Sequence, residues 1–508
     1  MELLRSNPYG IQPVGNRAFA TSTNYGQRIP GLGTSAALDD GLWLSEMCSF
    51  FSGLDLSFLS VCSKFLYAYC HYDELWKKLV LARQGVPFVF AGSWKETFTG
   101  ISHSPLRVRV YSDVLYQPFW CSALRIPRKW IEFETVPRVS IESLSVEKFV
   151  TTYEQPNRPV VLTNCHKHQG GWAAYKKWNR DYLLATAGPT TLFNAAGQSL
   201  PLSSYLLYSD QQKDDNPIYL FDKHFVDNTP QFGSDYVPLS YFSKERDLFN
   251  LLEGTAYRPD HRWLIVGPKR SGSRFHVDPN GTSAWNAVIK GSKKWILFPP
   301  HSVPPGVHPS ADGGDVTSPV SLTEWFRGFY DQAREDRNIN GMMECVVGAG
   351  ETIFVPSGWY HLVINLDFTI AVTQNYVSTS NLINVMSYLS RSPKLISGVA
   401  HDKRPHLRST FETALRKCRP EAYQLLVDAK AERLAQQSRK RERTLTTTVK
   451  WTELTRTPKN TQGVSSFSSS LPSSLSSTSE STKATEVATK ERGTMKKSSV
   501  GFSFGFDF

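Results

Sequence analysis

The chain has 508 residues, 40 % of them hydrophobic, and carries 57 Lys/Arg against 46 Asp/Glu for a net charge of +11. That length accommodates two or three domains with a sizeable core, and no run approaches the ~18 consecutive apolar residues of a membrane span, which argues against a membrane protein. The seven cysteines, Cys48, Cys62, Cys70, Cys121, Cys165, Cys345 and Cys418, are odd in number and include no Cys-x-x-Cys, so neither a disulfide framework nor a structural zinc site is expected.

Residues 1–36, rich in Gly, Asn, Ser, Thr and Pro, read as a disordered arm. Between 37 and 100, the stretches Leu42 to Phe51, Leu54 to Phe65 and Asp73 to Leu79 have the apolar spacing of short amphipathic helices separated by tight breaks. This layout resembles an F-box, a three-helix motif that docks on the Skp-type adaptor of cullin ubiquitin ligases, although the usual leucine-proline opening is missing. The resemblance implies such an adaptor as a partner. His71-Tyr72-Asp73 lies in helical spacing, where its two polar groups diverge, so it does not read as a metal pair. Residues 101–139 read as a linker.

From about residue 140 to 390 the pattern becomes β-rich. Cys165-His166-Lys167-His168 has no partner cluster and reads as a loop. His276 and Asp278 sit in Arg274-Phe275-His276-Val277-Asp278-Pro279, and His361 follows 83 residues later in Gly358-Trp359-Tyr360-His361. A strand repeats every two residues, so His276 and Asp278 project to one side, where a ligand from a distant antiparallel strand can meet them. Two imidazoles and one carboxylate occupy one face of an octahedral iron(II) and leave three positions for a chelating co-substrate and dioxygen. Ala284 to Ile289 and Lys293 to Phe298 read as two strands joined by a Gly291 turn, with Thr352 to Val355, His361 to Asn365 and Thr369 to Asn375 as further strands. His361, Val363 and Asn365 share one face, as do Thr369, Ala371, Thr373 and Asn375, a polar stripe suited to a buried cofactor pocket. Lys294, beside Lys293, reads as a solvated surface charge.

These segments, with Arg262-Trp263, Gly267 to Gly272, Gly281 to Ala287, Gly350 to Pro356 and Asn365-Leu366-Asp367, closely resemble the Jumonji-C family of iron(II)- and 2-oxoglutarate-dependent oxygenases. The best match is its phosphatidylserine-receptor-like branch of lysyl hydroxylases and arginine demethylases. Gly92-Ser93-Trp94-Lys95 and Tyr111 to Phe119 resemble segments joining F-box and Jumonji-C units in a fungal and plant subgroup. The resemblance implies a mainly β fold with helical additions, a double-stranded β-helix (jelly-roll or cupin-like) barrel over 140–390 preceded by the small α-helical F-box domain. It implies His276, Asp278 and His361 as iron ligands and catalytic centre, and Lys293 and Thr373 at the far carboxylate of 2-oxoglutarate. Asn286, Tyr219 and Ser273 fall at further co-substrate positions, Ser273 where relatives carry threonine. Tyr360 replaces a tryptophan beside the third ligand.

Residues 391–443 read as C-terminal helices ending in the basic cluster Arg433, Arg439, Lys440, Arg441 and Arg443. Residues 401–450 hold 13 Lys/Arg against 6 Asp/Glu, so most of the excess charge lies beyond the barrel, where it suits nuclear import or contact with nucleic acid. With no apolar signal core at the start, a nuclear location, shared with the cytoplasm, is expected. From 444 to 508 the composition turns to Ser, Thr and Lys, with ten serines in 465–479, and reads as a disordered tail. The expected function is hydroxylation or demethylation of Lys or Arg side chains in a protein substrate such as a histone or an RNA-associated protein, consuming 2-oxoglutarate and dioxygen. The alternative is a substrate receptor of a ubiquitin ligase whose barrel only grips a partner. Loops such as 300–343 are expected to form the peptide groove without a readable code.

Overall fold

The structure of the protein, a computed structural model, describes residues 7–13 and 42–454. The rest of the expected arm, and the expected tail beyond residue 454, lie outside the described residues. After a π-helical turn at Trp43–Met47 and a 3-10 turn at Cys48–Phe50, Ser52 opens α1 (Gly53–Ser60) through a capping box with Asp55, and serines at 63, 93 and 112 cap α2 (Lys64–Cys70), α4 (Trp94–Thr99) and α5 (Asp113–Ala123). Helix α3 (Asp73–Leu81) lies between them. His71 ends α2 and Asp73 starts α3; the imidazole bonds to the Tyr67 carbonyl, while the carboxylate accepts the Trp94 and Lys95 backbone N–H groups.

Three features differ from the sequence expectation. Residues 7–12 are pinned, not disordered: Gln12 and Tyr9 exchange backbone hydrogen bonds with the 108–112 segment, and Ile11 is buried. The expected linker contains α5 and a 3-10 turn at Arg128–Trp130, whose Trp130 stacks on Phe326. The N-terminal helices also share a core with the barrel flank rather than forming a separate one. Asp214 ties the two together, accepting from Lys77 on α3 (3.2 Å), the Trp94 indole on α4 (3.2 Å) and Tyr208 on α6, Leu202–Gln211 (2.7 Å).

Two sheets face each other. The larger has the order β1 (Arg138–Ser140), β2 (Val160–Thr163), β13 (Thr352–Val355), β8 (Ser283–Lys290), β15 (Thr369–Tyr376), β6 (Arg262–Gly267), β5 (Leu220–Asp222), β3 (Leu192–Ala195) and β4 (Gln198–Pro201). The smaller has the order β12 (Met343–Gly348), β9 (Ser292–Phe298), β14 (Tyr360–Asn365) and β7 (Gly272–His276). A two-stranded ribbon, β10 (His308–Pro309) with β11 (Val316–Thr317), stands apart. The predicted strands on either side of Gly291 form as expected, but they belong to different sheets. Gly291 (φ 81°) makes the crossing; a Cβ there would lie 2.4 Å from the Phe368 carbonyl oxygen.

Alternation along each strand divides its side chains between two environments. Val288, Ile353, Leu297 and Val363 pack between the sheets, while Leu264, Trp285 and Phe354 on the larger sheet meet the helical side. Ile296, Phe298, Leu362 and Ile364 on the smaller sheet pack against Trp325, Phe326 and Tyr330 of α7 (Leu322–Glu335). The 300–343 segment is therefore not loop alone. After α8 (Leu382–Arg391) and α9 (Arg404–Cys418), helix α10 (Pro420–Leu454) continues past residue 444, where a disordered tail was expected. Residues 427–454 belong to a second unit, whose residues 431–439, including Arg433 and Arg439, are exposed. Among the described residues no helix is long and apolar enough to cross a membrane.

Helix α7 also corrects the reading of Lys294. Its side chain is 1 % exposed and pairs with Glu344 at 2.8 Å, and its ammonium donates to the Phe133 carbonyl at 2.7 Å. Tyr330 supplies a further hydrogen bond to Glu344 (2.8 Å). Removing one member of a buried ion pair strands the other, so Lys294→Ala should lower unfolding stability by about 3–5 kcal/mol. Denaturant titration measures this, and a loss under about 1 kcal/mol would place the lysine in solvent as the sequence suggested.

Candidate active site

Strand β7 ends at His276, and in the antiparallel pairing with β14 His361 stands directly opposite, the two ring centroids 4.1 Å apart. Asp278, two residues on in extended backbone (φ −58°, ψ 140°), joins them. One ligand atom from each of the three residues lies within 4.8 Å of the others, with His361 Nε2 3.9 Å from Asp278 Oδ1. His276 Nδ1 is 2.7 Å from the Arg274 carbonyl oxygen and His361 Nδ1 is 3.1 Å from that of Trp359. A carbonyl can only accept, so each Nδ1 carries the hydrogen and each Nε2 keeps its lone pair for a metal.

Burial holds both imidazoles neutral, their pKa values lowered to about 4, and pushes the Asp278 carboxyl up to about 6. Asp278 Oδ2 is buried with no hydrogen-bond partner. Two neutral nitrogen donors and an unsatisfied carboxylate oxygen converging in this way suit a divalent first-row metal with open positions. Among the described residues this is the only such grouping of three.

The triad opens into a cavity of about 490 Å³, mouth included, which all eight sequence-predicted residues line. Lys293, fully buried on β9, donates to the Tyr219 hydroxyl at 2.9 Å. No carboxylate among the described residues lies within ion-pair distance of it, and burial lowers its pKa to about 7. Asn286 on β8 stands across from Thr373 on β15, and its buried Oδ1 has no partner. Thr373 donates its hydroxyl hydrogen to the Trp285 carbonyl (2.8 Å), so it must release that bond before it can donate to an anion. Ser273, paired across from Val363, is buried at the cavity wall.

Further wall residues carry no individual role in the sequence reading, Asn375 standing there only as part of the stripe with Thr373. Trp295 lies face-on to the His361 ring (centroids 5.8 Å, 27° between planes), Phe221 and Trp263 form an aromatic side (5.5 Å), and Asn375 lies beyond Thr373. Three of them follow a predicted site residue by two positions (Lys293, Tyr219 and Thr373), so strand periodicity alone could have found them. Trp263 is visible only through its pairing with Thr373 across β6 and β15.

A lysine held near neutrality by burial must be protonated to hold a carboxylate. Its lowered pKa leaves the ammonium form present below about 7 and lost as the pH rises through that value. Affinity for 2-oxoglutarate should therefore fall above pH ~7, by up to about tenfold per pH unit, with proton uptake on binding at pH ~8. Calorimetry in two buffers of different ionisation enthalpy reads that proton directly, and a pH-independent affinity without uptake would remove Lys293 from the carboxylate.

Comparison with known proteins agrees with this geometry. Residues 193–381 match the model of the cupin-like domain. The chain is 41 % identical over 440 residues to the arginine-specific demethylase JMJ22 of Arabidopsis thaliana, covering 84 % of each chain. It is 35 % identical over 305 residues to the bifunctional arginine demethylase and lysyl-hydroxylase psr-1 of Caenorhabditis elegans, covering 58 % of this chain and 72 % of the relative. Against the 2-oxoglutarate and iron-dependent oxygenase JMJD4 of Danio rerio the identity is 31 % over 267 residues, 48 % of this chain and 60 % of that one. From the extent of the first match and the cupin-like barrel that carries the two histidines and the aspartate, the chain belongs to the Jumonji-C family of iron- and 2-oxoglutarate-dependent oxygenases.

Proposed function

We propose that the protein oxidises the side chain of a protein substrate, removing a methyl group from N-methyl arginine or hydroxylating lysine. The observation that carries the reading is the convergence of His276, Asp278 and His361 in the same cavity as an unpaired buried lysine. The arginine demethylase activity for which the Arabidopsis and nematode relatives are named favours arginine demethylation as the first to test.

Iron(II) held by the triad would supply dioxygen activation coupled to oxidative decarboxylation of 2-oxoglutarate to succinate and carbon dioxide. The chain's own residues do the rest. The Trp359 and Arg274 carbonyls fix the tautomer and orientation of both imidazoles. Lys293 and Tyr219 receive the far carboxylate of 2-oxoglutarate, with Thr373, Asn286 and Ser273 beside it. Trp295, Val355 and Val363 keep water from the reacting end of the cavity. Hydroxylation of an N-methyl carbon gives a hemiaminal that breaks to formaldehyde and the demethylated nitrogen; on a lysine carbon the hydroxyl group stays.

Asp278→Ala should retain the fold and lose 2-oxoglutarate turnover by more than about a hundredfold, since loss of a residue that merely supports a ligand already costs ten- to a hundredfold. Mass spectrometry of methylated and unmethylated peptides treated with the wild type separates the products: loss of 14 Da units with formaldehyde, about one methylene each, or gain of about one oxygen. Undiminished turnover in the folded mutant would end the reading.

A second reading concerns the N-terminal helices, which leave Phe50 (84 % exposed), Leu54 (72 %), Phe58 (70 %) and Val61 (83 %) uncovered. Apolar side chains gathered within twelve residues favour a protein partner, and the sequence resemblance suggests a Skp-type adaptor. The adaptor should co-purify with the full chain and be lost in Leu54→Asp/Phe58→Asp, whose exposed positions leave folding intact; no co-purification with the wild type would remove it.

A further inference from the structure

The turn from β6 to β7 lies behind the lysine that closes the cavity, and it is tied down at Gly267, Arg270 and Ser271. Gly267 opens it so tightly that a Cβ there would fall 2.2 Å from Ser271 Oγ, 2.6 Å from Tyr219 Cδ2 and 2.7 Å from Asn365 Nδ2. Asn365 is the cross-strand neighbour of Lys293. Three hydrogen bonds fasten it to the turn: Arg270 N–H donates to the Asn365 carbonyl (2.7 Å), Asn365 N–H donates to the Ser271 carbonyl (2.8 Å), and Asn365 Nδ2 donates to Ser271 Oγ (2.9 Å). Tyr219, packed against Gly267, receives the hydrogen bond from Lys293 Nζ. Both supports of the lysine, its neighbouring strand and its hydroxyl partner, therefore rest on this turn.

Arg270 is where the turn is anchored. Its backbone adopts φ 78°, a left-handed conformation that a residue other than glycine keeps only when surrounding contacts hold it. Its guanidinium donates to the carbonyls of Cys121 and Ser122 in the last turn of α5. A planar fork meets two successive carbonyls in a way an ammonium cannot, at the negative end of the helix dipole.

We propose that Arg270 is a positioning residue for the co-substrate: by hooking the end of α5 it holds the β6–β7 turn, and through Asn365 and Tyr219 it aims the Lys293 ammonium into the cavity. The inference rests on the reading of that cavity as a 2-oxoglutarate site. It gives the segment between the N-terminal helices and the barrel a share in co-substrate affinity.

The test uses the full chain as wild type, Arg270→Gly and Arg270→Lys. Glycine suits the left-handed backbone, so R270G removes the hook while relieving the conformation. Calorimetry of 2-oxoglutarate binding to the Mn(II)-loaded protein without oxygen is set beside KM, kcat and the unfolding midpoint. R270G should weaken binding and raise KM for 2-oxoglutarate about tenfold with kcat within about twofold, and R270K should recover part of the affinity through one of the two carbonyls. Mn(II) affinity should stay at the wild-type value. A folded R270G with wild-type binding and KM, or one that loses kcat with KM intact, overturns the proposal. Should R270G not fold, R270K decides, a wild-type KM in that variant overturning it. A wild type that neither binds nor consumes 2-oxoglutarate sinks the co-substrate reading itself, whereas wild-type binding with unaltered variants sinks only the role of Arg270.

Discussion

The register of β14 is the constraint on which both ends of the cavity depend. That strand sets His361 against His276 on one neighbour, and four residues further on sets Asn365 against Lys293 on the other. A slip of one residue would turn His361 toward α7 and bring Leu362 inward, dismantling the triad and the lysine's support together. Four residues span about 13 Å of strand, so the distance between the triad and the buried lysine is a property of backbone pairing, with the lysine stem reaching back across part of it.

What holds that register is burial on both sides of the strand. Leu362 and Ile364 are locked under α7 with Phe275 and Trp325, while Val363 packs between the sheets with Trp295 and Val355. A slip would trade the two faces, pulling Leu362 and Ile364 away from α7 and setting the His361 imidazole and the Asn365 amide in that apolar layer without polar partners. The helical layer on the far side contributes less directly. It shares the core behind the larger sheet, and polar ties through Asp214 and Arg270 connect it to the segments that lead into Tyr219 and into β7. Those ties make the region before the barrel part of the site's scaffold.

The triad and its neighbours were legible because strand chemistry is local: His276 and Asp278 share a side by spacing, and Thr373 and Asn375 repeat the same period. Five barrel strands after residue 283, β8, β9, β13, β14 and β15, were legible within about one residue for the same reason, whereas β12 was not foreseen. What sequence could not provide was pairing. Strands β8 and β9 look like a hairpin around Gly291, yet each takes partners from distant segments, because an inter-sheet turn and a hairpin turn share residue types. Residues 7–12 look like the rest of a polar arm until Val110 supplies a backbone partner. Arg270 gives no signal at all, since neither its left-handed backbone nor the two carbonyls it meets can be seen from a single chain segment.

Lys293 and Lys294 make the same point energetically. Adjacent residues on a strand face opposite sides, so one lysine enters the cavity and the other enters the layer under α7. Both are buried, and an ammonium removed from water costs several kcal/mol unless an anion meets it. For Lys294 the fold supplies that anion, Glu344, itself bonded to Tyr330. For Lys293 it supplies only the Tyr219 hydroxyl, and the lysine responds by moving toward neutrality, at about 7. A fold that neutralises one of two neighbouring buried lysines from within, and leaves the other facing an open cavity, is arranged so that the missing negative charge comes from a ligand. An acid long enough to reach the triad from the floor meets that requirement, which is why the triad and the lysine are better understood as two ends of one cavity than as separate polar clusters.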